Sequence, residues 1–279
     1  MRIGDGRYMA MLRARTLNLL TFAVLALAGS GVSAQGLIFN LPEDGKMVEY
    51  EGTLTQGTSA DDESPLSWTC QLTIKSVGRE NAEFQGESQP CRWLEIKVLT
   101  GNSGAAGLDP GPVGSRIYLV LVPESKITDK PVDKAGIPND MLPIVQGYRR
   151  LGEAGTEPIR TSSLRFFPTI SLLTSYTDPE LIASTEVPDT ILPGGNAGLT
   201  AAHWRGKSVM ESPKVRSTNE ADYWVSTDVP FGLARWVVTV TTEEKDLAAA
   251  RSDFRVAVVK KLDMKLKSMD GVAERELQP

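Results

Sequence analysis

Few side chains in this sequence are equipped for chemistry. There is one histidine, His203, and there are two cysteines, Cys70 and Cys91. A histidine-rich metal centre is therefore excluded. No Gly-x-Ser-x-Gly elbow supplies a nucleophile for His203, and a lone histidine beside Trp204 reads as a structural residue rather than a general base. Asp and Glu number 35, but no spacing singles out a carboxylate pair for acid–base work. The run Ala201-Ala-His-Trp-Arg-Gly-Lys-Ser208 fits a loosened phosphate-loop pattern. A phosphate loop needs flexible glycines and a helix behind it, whereas this run holds His, Trp and Arg and meets Pro213 soon after. The sequence thus predicts no catalytic centre, no cofactor and no metal.

The cysteines carry more information, through register. If Cys70 faces Cys91 across an antiparallel pair, Trp68 faces Trp93 on the same side and the turn falls at Glu80-Asn81. A disulfide beside an aromatic pair would stabilise that hairpin. Alternation argues otherwise, because Leu72 and Ile74 share a face with Cys70 while Leu94, Ile96 and Val98 lie opposite Cys91. Pairing those apolar stripes, for example Leu72 with Leu94, sends the cysteines to opposite faces, unless a bulge intervenes. A Cys70–Cys91 bridge and two separate buried thiols both stay open. Of the five tryptophans, Trp68, Trp93 and Trp236 are candidates to line an apolar ligand cavity, with core packing as the alternative for each.

The elements that must position these residues are strands. The apolar period is two, and Gly and Pro punctuate it often. Met47 to Gln56, Trp68 to Val77, Cys91 to Thr100, Arg116 to Val122, Lys207 to Val215, Tyr223 to Thr227, Leu233 to Thr242 and Phe254 to Met264 are predicted strands. Between the two groups lies a segment broken by Pro131, Pro138, Pro143, Pro158 and Pro168, with one helix start at Asp178-Pro179-Glu180. About eight strands must close, curl or pack on themselves. The predicted fold class is mainly β: a curved antiparallel sheet or unclosed β-barrel with short helices from the middle segment, with a β-sandwich as the alternative.

Arg2, Arg7, Arg13 and Arg15 precede the apolar stretch Leu17 to Ala28 and the small residues up to Val32-Ser33-Ala34, in the order of a secretory signal peptide. The expected organisation is a signal peptide over 1–34, one β-rich domain over 35–270 and a C-terminal tail over 271–279, read as frayed or as a docking peptide. Starts at Met9 or Met11 would give a more usual leader. Removing 34 of 279 residues leaves 245, enough for one core. The leader carries four Arg against one Asp, so its loss takes the formal charge from −5 to −8, which disfavours nucleic acid. Lys260, Lys261, Lys265 and Lys267, interspersed with Asp263, read as a solvated strand end. The apolar run falls short of the roughly 20 residues of a spanning helix, so an exported periplasmic or secreted protein is expected, not an integral membrane protein.

Leu72-Thr-Ile-Lys-Ser-Val-Gly78, Cys91-Arg-Trp-Leu-Glu-Ile-Lys97, Leu121-Val-Pro-Glu124 and Tyr223-Trp-Val-Ser-Thr-Asp-Val-Pro-Phe-Gly232 resemble an uncharacterised family of exported bacterial proteins. Gly271-Val-Ala-Glu-Arg-Glu-Leu277 adds to the match. That family is in turn similar to the periplasmic lipoprotein carriers LolA and LolB. The resemblance implies an unclosed β-barrel, helices over its mouth and an apolar cavity for acyl chains, and it brings no catalytic residue. The expected function is a non-enzymatic carrier or binder of a lipid or other apolar ligand in the cell envelope. The alternative is an interaction or scaffolding module that contacts another envelope protein.

Overall fold

The computed structural model describes residues 36–59, 62–104, 107–109, 114–127, 142–164, 170–187 and 199–278. The expected leader and the cleavage point after Ala34 lie outside the described residues, as do Pro131, Pro138 and Pro168.

Period-two alternation becomes one sheet. Its strands are β1 (Met47–Gly57), β2 (Leu66–Phe84), β3 (Glu87–Gly104), β4 (Gly107–Asp109), β5 (Ser115–Pro123), β7 (Gln146–Leu151), β8 (Glu157–Pro158), β10 (Glu180–Glu186), β11 (Thr200–Glu211), β12 (Val215–Val225), β13 (Leu233–Glu244) and β14 (Arg255–Ser268). Two short pieces, β6 (Leu142–Pro143) and β9 (Ser163–Leu164), pair with each other. Among the described residues the order is β10-β11-β12-β13-β14-β1-β2-β3-β5-β7-β8, with β4 added to β3 and every pairing antiparallel. The path does not return on itself, so the sheet is unclosed rather than a barrel, and among the described residues no second large sheet packs on it as a sandwich would require.

The sheet is curved. Strands β11 and β5 stand seven strand spacings apart, about 34 Å in a flat sheet, yet Trp204 and Val120 belong to one buried core. Tyr50 of β1 reaches over β14 to donate its hydroxyl to the Leu233 carbonyl of β13 at 2.9 Å, and its ring meets Trp236 edge-on at 4.9 Å. Contacts of that span need a concave face. The concavity is filled in part by Leu37, Ile38 and Phe39, and by Leu173 and Tyr176, all buried. The Phe39 amide donates to the Phe231 carbonyl at 2.9 Å, where Phe231 and Gly232 take positive φ in the turn joining β12 to β13.

The convex face differs between the two halves. Over β11–β14 it is a lattice of charge pairs, Arg205–Asp222, Lys207–Glu220, Arg216–Glu243 and Arg235–Asp263, the polar side of an antiparallel sheet with one wet face. Over β3 and β5 it is apolar: Cys91, Trp93, Ile117, Leu119 and Leu121 form a second cluster. Strand β5 is accordingly buried on both faces, which explains its near-continuous apolar run Ile117-Tyr-Leu-Val-Leu-Val122.

Three expectations need correction. The β2–β3 turn is Gln85-Gly86, both with positive φ as a tight two-residue hairpin demands, not Glu80-Asn81. The register is Leu72 to Val98 and Cys70 to Thr100, with a shift between Ser76 and Arg79. Cys70 then joins the concave core, Cys91 the convex cluster, and both are free thiols. Asp178-Pro179-Glu180 starts strand β10 rather than a helix, because Glu180 to Glu186 pair with Thr200 to Arg205 of β11. Among the described residues the three-residue helical elements are 3-10 turns at Glu124–Lys126 and Arg251–Asp253, while Gly114 and Ile170 are helical residues next to segments outside the described residues. The end of the chain is not frayed either: Leu277 is fully buried on the convex cluster.

Candidate functional site

Side chains along the concave face of β11–β14, β1 and β2 fall into successive rows, one per pleat. The row of Trp204, Tyr223, Trp236 and Met264 is buried throughout. In the next row Ala221, Val238 and Leu262 are buried while Leu54 and Trp68 are half-buried. Beyond it stand Asn219, Val240 and Lys260, with Leu66 60% exposed, and last Ser217, Thr242 and Val258 with Met210, again 60% exposed. The core thus runs out into open apolar ground toward one end of the trough.

At that end the segment Leu172 to Thr174 stands over β11–β14 and encloses a cleft of about 190 Å³ between Leu172, Met210, Val240 and Thr242, with Lys260 at its rim. The segment is held by Asn219, whose side-chain amide donates to the Leu172 carbonyl at 2.7 Å and whose Oδ1 accepts the Tyr176 hydroxyl at 2.8 Å. Tyr176 lies flat on Gly206, where no Cβ stands in its way, and its ring stacks near Tyr223 at 6.0 Å. Lys260 is exposed and forms no ion pair among the described residues. The arrangement can take an alkyl chain and meet an anion at its edge. Its polar lining is Lys260, Asn219 and the hydroxyl residues Thr174, Ser208, Ser217 and Thr242.

Deeper in the trough, the Trp204 indole N–H and the Tyr223 hydroxyl are buried without a hydrogen-bond partner among the described residues. Burial pushes the Tyr223 hydroxyl well above its ordinary pKa. Desolvated donors of this kind cost stability unless water or a ligand reaches them.

The candidate tryptophans do not gather. Trp236 is sealed in the core with its indole N–H donated to the Ser171 carbonyl at 3.2 Å, so it cannot touch a ligand. Trp93 lies on the convex face under the Arg275 guanidinium, 5.0 Å from the ring. Trp68 remains, half-buried beside Leu54 on the open part of the trough. His203 is convex: its ring stacks on Trp224 at 4.3 Å and 8°, and Nε2 is 2.8 Å from an Asp222 oxygen that also accepts Arg205. Its aromatic partner is therefore Trp224, not its neighbour Trp204. No hydroxyl or thiol is bonded to His203 among the described residues, so the His–Asp pair activates no nucleophile. The phosphate-loop lookalike Ala201 to Ser208 is regular strand β11. Sequence reading missed Leu172, Met210 and Val240, since nothing local says that a loop 68 residues from Val240 will cover it.

No family model matches the chain and no curated protein matches it. Among solved structures it is similar to the LolA superfamily protein NE2245 from Nitrosomonas europaea, at 14% identity over 85% of this chain and 91% of that chain, with a TM-score of 0.23. No residue of the site is carried over from that likeness.

Proposed function

We propose that this protein is a non-enzymatic binder of an acyl-bearing, anionic amphiphile, acting as a carrier in the cell envelope. The single observation behind the reading is the trough whose apolar rows pass from sealed core to a half-open cleft, with a lysine at its rim that forms no ion pair among the described residues. At about 190 Å³ the cleft alone is smaller than ordinary ligand pockets, which begin near 300 Å³. A bound chain therefore extends from the cleft along Leu54, Trp68 and Leu66, with its charged head at Lys260. The centre of the concavity is filled by the protein's own side chains, so the ligand lies along the trough's open end rather than inside a barrel.

Native mass spectrometry of the protein purified from envelope membranes, followed by lipid extraction, tests this. One acyl species at near one-to-one occupancy supports the carrier reading and names the ligand class. A clean unliganded mass, together with no quenching of tryptophan emission by a bromine-labelled fatty acid, overturns it.

A further inference from the structure

Residues 272–278 belong to no strand, yet they are seated on the convex face of β2, β3, β5 and β7 by a set of side chains that reads them closely. Glu95 is fully buried. One of its carboxylate oxygens accepts Lys75 Nζ at 2.8 Å, and the other accepts the backbone amides of Glu276 and Leu277 at 2.7 and 2.8 Å. The Glu276 carboxylate lies between Lys97 at 2.8 Å and Arg150 at 3.2 Å. Leu277 is 0% exposed against Trp93, Ile117, Leu119 and Leu121. Two consecutive amides, an acid and the leucine after it are each recognised by a separate group.

The hold is modular. Apart from the two amides on Glu95, the segment's backbone contacts are Ala273 N–H to the Gly45 carbonyl at 3.3 Å, Lys75 Nζ to the Glu274 carbonyl at 3.0 Å and the Ser268 hydroxyl to the Asp270 carbonyl beside it. Every partner in the seat comes from the body of the protein, and none depends on the segment being covalently attached to β14. Gly271, with φ +155°, and Val272, 78% exposed, form the joint between them. Segments held this way open at lower free energy than ladder strands.

We propose that the convex groove over β3, β5 and β7 is a docking site for an extended segment of a partner protein bearing an acidic residue followed by leucine, and that residues 273–278 fill it in cis as a latch. The basic rim of Lys75, Lys97 and Arg150 supplies the charge complementarity, and the buried Glu95 fixes the backbone of whatever strand lies there. The groove is on the face opposite the trough, so the inference stands apart from the acyl-ligand reading.

The test is fluorescence anisotropy of a labelled peptide copying residues 271–278, titrated with the full chain and with Leu277→Asp, which unseats the latch. The tethered latch competes at an effective concentration in the millimolar range, so Leu277→Asp is expected to bind the peptide at least tenfold more tightly than the unaltered chain. Adding Glu95→Gln should remove at least tenfold of that gain, and a peptide with Leu277→Asp should not bind. A folded Leu277→Asp chain that ignores the peptide, or binds it equally with Glu95→Gln, overturns the proposal. So does a full chain that dimerises by exchanging latches, which would make the occupant a second copy. Should Leu277→Asp fail to fold, amide hydrogen exchange on the unaltered chain decides: Glu276 and Leu277 opening before β3 and β5 supports the latch, and exchange only together with those strands overturns it.

Discussion

Gly206→Ala tests whether the wall of the cleft is held as the geometry says. Gly206 sits in mid-strand without positive φ, so alanine suits its backbone and any effect must come from the side chain. A Cβ there would lie 2.5 and 2.7 Å from the two Cδ atoms of Tyr176. Tyr176 is fully buried and cannot swing into solvent, so the ring must lift from β11. Overpacking of this kind costs about 1–3 kcal/mol, and losing the Tyr176–Asn219 hydrogen bond adds about 1 kcal/mol. A gain of roughly 0.5 kcal/mol from replacing a strand glycine offsets part of this. The net loss of about 1.5–3.5 kcal/mol corresponds to a Tm lower by about 3–14 °C for a domain of this size. Gly155→Ala is the control, because nothing lies within 4 Å of a Cβ there, and it should leave Tm unchanged. Thermal unfolding followed by near-ultraviolet circular dichroism reads both. Because Asn219 also holds the Leu172 carbonyl, Gly206→Ala should weaken acyl-ligand binding as well. A Gly206→Ala chain as stable as the control would refute the packing of Tyr176 on β11 and the cleft built on it.

Lys260→Glu should lower the affinity for an anionic acyl ligand at least tenfold in a quenching titration while leaving Tm in place, since the side chain is exposed and forms no ion pair among the described residues; equal affinity would remove the anion from the reading. Tyr223→Phe deletes a buried hydroxyl that has no partner among the described residues, and should hold or raise stability by about 1 kcal/mol in denaturant unfolding, whereas a clear loss would mean that the hydroxyl is satisfied. Burial pushes both thiols above their ordinary pKa, so Cys70 and Cys91 should react slowly with a thiol reagent in the native state and fully after unfolding, and reduction should add no hydrogens to the intact mass. Burial raises the Glu276 carboxyl, but the hydrogen bond and charge of Lys97, with Lys75 and Arg150, outweigh it and hold the pKa below its ordinary 4.5. A depressed folded pKa means that its contribution is complete above about 4.5 and is lost as the pH falls through the lower folded value. The Leu277 amide resonance should therefore hold steady from neutral pH to that point and then shift toward its released position, and Glu276→Gln should abolish that step.

Strand positions were legible wherever one face is wet. Met47 to Gln56 and Leu233 to Thr242 alternate cleanly, and β1 and β13 lie where the alternation puts them. The reading failed where long-range pairing overrides local preference. Asp178-Pro179-Glu180 carries a good helix start, yet β11 offers Glu180 to Glu186 a row of ladder partners that a short helix of Leu181-Ile182-Ala183 could not match. The cysteine register was out of reach because the one-residue shift beside Gly78 changes the parity of the hairpin, and alternation on either side cannot reveal it. Of the candidate site, Trp68 was named as a possible lining residue, Lys260 was read only as part of a solvated strand end, and the cleft was not visible, since it depends on Leu172 meeting Val240 across the fold. The latch left a faint signal that could have been used. Glu95 interrupts the otherwise alternating stripe Cys91, Trp93, Glu95, Lys97, and Leu277 is an isolated large apolar residue in a charged tail. A buried acid and a stranded leucine are each costly alone, and together they are consistent.

The two ends of the described chain meet on the same half of the sheet and secure it from opposite faces. The early segment crosses the concave side, where the Asn40-Leu41-Pro42 stretch is fixed by Arg92 donating to the Pro42 carbonyl at 2.8 Å, and Asp44 caps the β2 shift by accepting the Ser76 hydroxyl and the Gly78 amide. The latch crosses the convex side, and the two are joined where Ala273 N–H meets the Gly45 carbonyl and Gly271 packs on Met47. Strands β2 and β3 are therefore clamped above and below, while β11–β14 carry a charge lattice outside and, inside, Phe39 and Tyr176 against Tyr223 with the cleft beyond them. A ligand that entered between the clamped strands would have to unseat both chain ends. One that enters over β11–β14 meets the segment Leu172 to Thr174, which is held by Asn219, by the Ser171 carbonyl on Trp236 and by the buried Leu173. Under the proposed reading, the cleft is therefore the part of the trough that a ligand reaches without unseating the early segment or the latch.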